Sequence, residues 1–208
     1  MGDVIHILGD TKVKGVRYAL LRAGDDERAA RLDIYRSSLP LICDAIKPYF
    51  GLPSMNLNRL SVGGRKYIIS PVSHTSKGII PDPPLDYRIL TEEDKNILRR
   101  YLLFRYLCQL DTKPNHLRMR WLDSRWHLVS VRENRFVHKP LADSLGKYMH
   151  PLPPLSLPDV DILRSIICDI DPEYISLAQN IHTRWRNLRD QPPPVIIDPT
   201  PLPLELIP

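Results

Sequence analysis

No stretch of this 208-residue chain is apolar for long enough to cross a bilayer, which excludes a helical membrane span. Its three cysteines (Cys43, Cys108, Cys168) lie far apart with no Cys-x-x-Cys spacing, so neither a disulfide framework nor a zinc knuckle is expected, and buried thiols in a reducing compartment are. The seven histidines fall into neither His-x-x-x-His nor His-Glu-x-x-His spacing, and no metal site is expected. There is no Gly-x-Ser-x-Gly elbow to make a nucleophile of Ser73 or Ser130 beside His74. Gly63-Gly64-Arg65-Lys66 lacks the spacing of a phosphate-binding P-loop and reads better as a hairpin turn. The opening residues Met1-Gly2-Asp3-Val4-Ile5-His6 lack the charged-then-apolar layout of a secretory leader, so the expected setting is inside a cell.

Proline is in excess. The 21 prolines are about twice the usual share and gather late in the chain. Apolar residues at 43% and charged residues at 25% are those of a globular protein, and the length is enough for a substantial core. A net charge of +5 is spread without long basic runs, so it favours an acidic partner only weakly.

Val4–Leu8 and Val16–Arg22 read as strands separated by a turn at Gly9-Asp10. Asp26 reads as the N-cap of an amphipathic helix that starts with Ala29, Ala30, Leu32, Ile34 and Tyr35 and runs through Leu39–Ile46, kinked at Pro40. Leu57–Val62 and Lys66–Val72 flank Gly63-Gly64 as a hairpin. Thr91, with Glu92, Glu93 and Asp94 in the first turn, starts a largely buried helix reaching Cys108. A second hairpin joins Leu117–Trp121 to Trp126–Val131, and helices begin near Pro158-Asp159 and Asp171-Pro172-Glu173. Strands, helix, strands, then a helical half with one hairpin give an α+β chain in two lobes, 1–76 and 77–190. Residues 191–208 form an extended, polyproline-like arm with apolar teeth, in which Pro192, Pro193, Pro194, Ile196 and Leu202 are the expected partner contacts.

Three stretches, in order, resemble the phosphoinositide-kinase catalytic domain and its atypical-kinase relatives. Tyr18–Arg28, with Gly24-Asp25-Asp26, resembles the family's strand with a phosphate-contacting lysine and the helix start that follows it. Tyr67–Thr75 resembles the strand leading to the lobe hinge, and Leu103–Asn134 resembles the catalytic loop and the hairpin bearing Asp-Phe-Gly. The resemblance implies a two-lobed protein-kinase-like or phosphoinositide-kinase-like fold. It places Asp111 at the catalytic position, with Asn115 and His116 near the metal if the site were active. Arg22 stands where the family has its lysine, Ala30 where a supporting acid belongs, and Arg132 where the metal-binding aspartate belongs. Phosphoryl transfer requires Mg²⁺ held by carboxylate oxygens, and a fixed guanidinium there repels the ion. The expectation is therefore a catalytically inactive kinase-like module (a pseudokinase) with an interaction or structural role, needing no cofactor. Its degenerate nucleotide-binding residues would be Arg22, Lys66 and Glu133, and its partners proteins or assembly neighbours. Such pared-down domains resemble proteins of large DNA viruses, which would set the protein in a host cytoplasm or a virus particle.

Two alternatives stand beside it. One is an active atypical kinase that binds Mg-ATP, uses Asp111, Asn115 and His116, and recruits Glu133 as a substitute metal ligand. The other is a nucleic-acid-binding protein using Arg118, Arg120, Arg125, Arg132 and Arg135 with Trp121 and Trp126.

Overall fold

The computed structural model describes residues 5–13, 16–23, 26–75, 78–80, 82–83, 85–86, 90–110, 117–122, 125–130, 133, 136 and 153–190. The chain is α+β with antiparallel sheets. Strands β1 (Ile5–Val13), β2 (Val16–Ala23) and β3 (Asp26–Ile34) are followed by helix α1 (Leu39–Ile46) and a 3-10 turn (Lys47–Phe50). Strands β4 (Asn58–Val62) and β5 (Arg65–Pro71) complete a five-stranded sheet in the order β1-β2-β3-β5-β4. A small pair, β6 (His74–Thr75) and β7 (Gly78–Ile79), leads on to helix α2 (Glu92–Leu107) and the hairpin β8 (Leu117–Leu122) and β9 (Arg125–Ser130). Helix α3 (Val160–Ile170), a 3-10 turn (Pro172–Tyr174) and helix α4 (Ser176–Asp190) end the described chain.

Several local signals produce the elements they predict. Gly63 and Gly64 both have positive φ, which a two-residue hairpin turn with the twist of its strands requires, and Val62 pairs with Arg65 across it. Thr91 caps α2 in a reciprocal capping box: its Oγ1 accepts from the Asp94 amide at 3.1 Å, and Asp94 Oδ2 accepts from the Thr91 amide at 2.9 Å. The α3 and α4 starts and the β8–β9 hairpin also fall where the sequence puts them.

Two expectations fail. The helix expected from Asp26 is strand β3, paired with β2 from Ala23↔Asp26 to Arg17↔Leu32 and with β5 from Ala30↔Pro71 to Ile34↔Tyr67. Asp-Glu-Arg-Ala-Ala has helical propensity, but that is a weak prior beside pairing on both edges and burial of Ala29, Ala30, Arg31 and Leu32 on both faces. Pro40 consequently kinks nothing; it sits in the first turn of α1, where its missing N–H costs no hydrogen bond. The turn expected at Gly9-Asp10 is absent, because β1 absorbs the interruption as a register irregularity between Ile7 and Gly9 and continues to Val13.

Apolar residues separate into two main clusters. One is built wholly of sheet residues, among them Ala19, Leu21, Leu32, Tyr67 and Ile69. The larger joins α1, α2, β8, β9, α3 and α4 through residues such as Ile42, Tyr101, Phe104, Leu128, Leu163 and Ile181. The hairpin β8–β9 stands where these two regions meet, and that position makes it the frame of the site.

Candidate functional site

Along β8 the side chains alternate. Leu117 and Met119 enter the larger cluster, so Arg118 and Arg120 face the other way. Arg120 is 2% exposed, and its guanidinium fork is fully engaged. Nε donates to Asp82 Oδ1 at 2.8 Å, Nη2 donates to Asp82 Oδ2, and Nη1 donates to the Pro71 carbonyl at 3.0 Å. The planar fork matches a carboxylate in this two-point way, which a lysine cannot do. The pair thus ties β8 to the end of β5 and to the segment carrying Asp82. Above it on the sheet, the Asp82 amide donates to the Tyr18 hydroxyl at 3.4 Å. Burial and the Asp82 carboxylate push the Tyr18 phenol above its ordinary value, against the opposing pull of Arg31 and Arg120. Arg31, buried on β3, donates from Nη2 to Asp33 Oδ1 at 3.1 Å.

A second buried charge pair lies behind the first. Lys47 follows α1 and is 0% exposed; its Nζ is 2.9 Å from Glu133 Oε2 and 3.6 Å from Asp44 Oδ1. Burial pulls the Lys47 ammonium down, but Glu133, Tyr101 and Asp44 more than offset it, and its pKa stands above the ordinary lysine value. Glu133 is 2% exposed, and its Oε1 has no hydrogen-bond partner among the described residues. Asp44 fastens the next loop: Oδ1 accepts from the Met55 amide at 2.6 Å, and Oδ2 accepts from Ser54 Oγ at 2.9 Å and the Leu57 amide at 3.0 Å. Met55 links Asp44 to Arg120, since its amide donates to Asp44 Oδ1 and its sulfur lies 4.0 Å from Arg120 Nη1. Cys43 and Cys108 line the same core, where burial first raises both thiols, followed for Cys43 by the neighbouring Cys108 and for both by the Glu133 charge.

Among the described residues, those singled out from the sequence do not converge. Arg22 lies exposed at the end of β2 and pairs with Glu27 across the hairpin. Lys66 is exposed beside the β4–β5 turn. Glu27 and Ile34 mark the two ends of β3, so Arg22 and Lys66 stand roughly 23 Å apart along the sheet. Glu133 is buried against Lys47. Asp111, Asn115, His116, Arg132, Arg135 and the arm with Pro192, Pro193, Pro194, Ile196 and Leu202 lie outside the described residues. Ser73, considered as a hydrolase nucleophile, donates its hydroxyl to the Trp121 carbonyl at 2.6 Å. The basic hairpin commits Arg120 inward, and Trp121 and Trp126 stack edge to face at 5.2 Å.

Chemically, the junction between sheet and helical core holds charges already matched to one another. A cation approaching Glu133 would meet the Lys47 ammonium, and a phosphate approaching Arg120 would have to displace Asp82. Among the described residues no group of three or more His, Cys, Asp or Glu side chains is placed to hold a metal, and no helix is long and apolar enough to cross a membrane. An open depression of about 520 Å³ lies beside Asp44, Asn56, Asn58, Arg59 and Asp169. Lys47 and Asp82 carried no signal in the sequence: one follows a short helix, and the other sits in Pro81-Asp82-Pro83-Pro84, which reads as loop. No protein-family model matches the chain, and neither a curated protein nor a solved structure is significantly similar to it.

Proposed function

We propose that the chain is a catalytically inactive, two-lobed kinase-like module that serves as an interaction or structural component, with the proline-rich arm as one contact. The antiparallel sheet of 5–71 followed by the helical half with its β8–β9 hairpin suits the two-lobed arrangement. The observation that carries the inactive reading is the burial of Glu133 against Lys47. In a kinase, a lysine holds the phosphates and carboxylates hold Mg²⁺ close by, and each part works only with the others in place. Here the carboxylate best placed to substitute for the missing metal ligand is neutralised inside the core. Arg22 and Lys66, the basic residues that would meet phosphate, stand at opposite ends of the sheet.

A thermal-shift titration with ATP, with and without Mg²⁺ or Mn²⁺, tests this. A ligand at a hundred times its Kd stabilises the native state by about 2.7 kcal/mol. In a domain of this size that raises Tm by several degrees, about 5–10 °C. The expected outcome is no shift in any combination. A metal-dependent rise, lost in Asp111→Ala, would replace this reading with the active atypical kinase.

A further inference from the structure

The β8–β9 hairpin has an apolar face that runs past the core covering it. Leu117, Met119 and Leu128 lie on that face and are buried in the helical cluster. The next rung outward is Trp121↔Trp126. Its rings meet edge to face at 5.2 Å and 70°, yet Trp126 remains 39% exposed. The rung is rigid, because its strands are paired on both sides of it and the Trp121 carbonyl accepts from Ser73 Oγ at 2.6 Å. A fixed pair of indoles, apolar on their faces and bearing N–H donors, is the kind of surface on which polyproline helices dock. Such helices lay proline rings on aromatic faces, and their carbonyls, unused by any internal hydrogen bond, accept from indole N–H.

The chain itself supplies a segment of that chemistry. Residues 191–208 contain seven prolines (192, 193, 194, 199, 201, 203 and 208) interleaved with Val195, Ile196, Ile197, Leu202 and Leu204. Their only charged side chains are Asp198 and Glu205, so the segment has little charge to desolvate when it lies on an apolar indole surface. We propose that the Trp121–Trp126 rung is the docking surface for this chain's own 191–208 segment, laid on it as a polyproline helix.

Reach permits it. Arg184 of α4 donates to the Tyr106 carbonyl near the end of α2, and Tyr101, five residues back along α2, donates to the Leu128 carbonyl, two residues from Trp126. Each of those steps is about 10 Å or less, and α4 ends only six residues beyond Arg184. Eighteen residues in polyproline geometry span roughly 56 Å. Tethering also gives the segment an effective concentration near the millimolar range, which no free competitor of similar intrinsic affinity matches. The inference does not rest on the kinase-like reading. It adds one consequence to the interaction role: a partner that takes the arm must lift it from the tryptophans.

The test uses the full chain labelled with fluorotryptophan, its Trp126 fluorine resonance assigned by Trp126→Phe. The wild type is compared with a variant carrying P193G, P194G, I196S and I197S, all of which lie outside the described residues. The expected result is a shift of the Trp126 resonance toward its unfolded position in the variant, reversed saturably by a synthetic 191–208 peptide. The wild-type resonance should stay unchanged on dilution. Identical Trp126 resonances in wild type and variant would overturn the proposal. A wild-type resonance that moves to the variant's position on dilution would place the arm on a second copy and overturn the intramolecular form.

Discussion

Two ion pairs of equal burial occupy the middle of this molecule, and they are not equally complete. Arg120 gives each nitrogen of its guanidinium an oxygen partner: both oxygens of Asp82 and the carbonyl of Pro71. Lys47 meets Glu133 through Oε2, and Oε1 is left inside the core without a hydrogen bond among the described residues. Taking a charge out of water costs several kcal/mol per ion, and the attraction offsets that cost only when the geometry is good and the remaining polar atoms are satisfied. An unmet buried acceptor costs about 1–3 kcal/mol by itself. The first pair is therefore a lock between sheet and hairpin, and the second is retained at a cost that the stability of the fold does not explain.

The largest effect expected from breaking this comparison is Asp82→Ala. It strands the Arg120 guanidinium in the core and should cost about 3–5 kcal/mol. That corresponds to a Tm lower by roughly 10 °C or more, read by calorimetry. A loss within the range of surface substitutions would mean that Arg120 has another partner and that the lock is misassigned.

Replacing both members of each pair by apolar residues sharpens the contrast. Lys47→Met with Glu133→Leu removes the unmet Oε1 along with both charges, and Asp44 keeps its three donors from Ser54, Met55 and Leu57. This double variant should match the wild type or exceed it by about 1 kcal/mol or more, as replacements of buried pairs often do. Arg120→Met with Asp82→Leu leaves the Pro71 carbonyl without its donor and should remain about 1–3 kcal/mol below the wild type. Urea midpoints at unchanged slope make the comparison. The opposite order would show that the unmet oxygen is not the deciding difference.

Much of the scaffold is legible in the sequence, because its signals are local. Gly63-Gly64 needs positive φ at both residues, Thr91 and Asp94 cap one another, and the alternation around Trp121 and Trp126 is that of a hairpin. What the sequence conceals depends on distant residues. Asp26–Ile34 reads as helix until β2 and β5 are in place on either side of it. Asp82 and Arg120 are 38 positions apart, and Lys47 and Glu133 are 86 apart (133 minus 47), so no spacing rule connects them. Arg120, on a strand with alternating apolar residues, reads as a solvated face; the other side of the hairpin packs beneath the sheet and buries it instead. Of the candidate site, the sequence supplies the hairpin and Glu133, and the structure supplies their partners.

The smaller of the expected effects is a decline of stability in alkali, which tests whether the Lys47–Glu133 region is as dry as its geometry indicates. Burial first, then for Cys43 the adjacent Cys108, and for both the Glu133 carboxylate, hold the Cys43 and Cys108 thiols above their ordinary value. Below about pH 8.5 both the native and the unfolded chain keep these protons, so the thiols have no effect on stability. Above it the unfolded chain releases them and the native core does not, which removes up to about 1.4 kcal/mol per pH unit for each thiol. Near pH 10 Tyr18 adds to the loss in the same sense, since its phenol is also raised. Lys47 does too: its stabilisation is complete below the ordinary lysine value of about 10.4 and disappears as pH rises through its elevated one. Urea unfolding at about pH 7.5, 8.5 and 9.5 should therefore show a stability that is flat over the first interval and falls over the second. In Cys43→Ala with Cys108→Ala the whole curve starts lower because two side chains are truncated, but the second interval should be nearly level. A wild type that stays level to pH 9.5 would mean that solvent reaches these thiols and, with them, the oxygen of Glu133 that has no partner among the described residues.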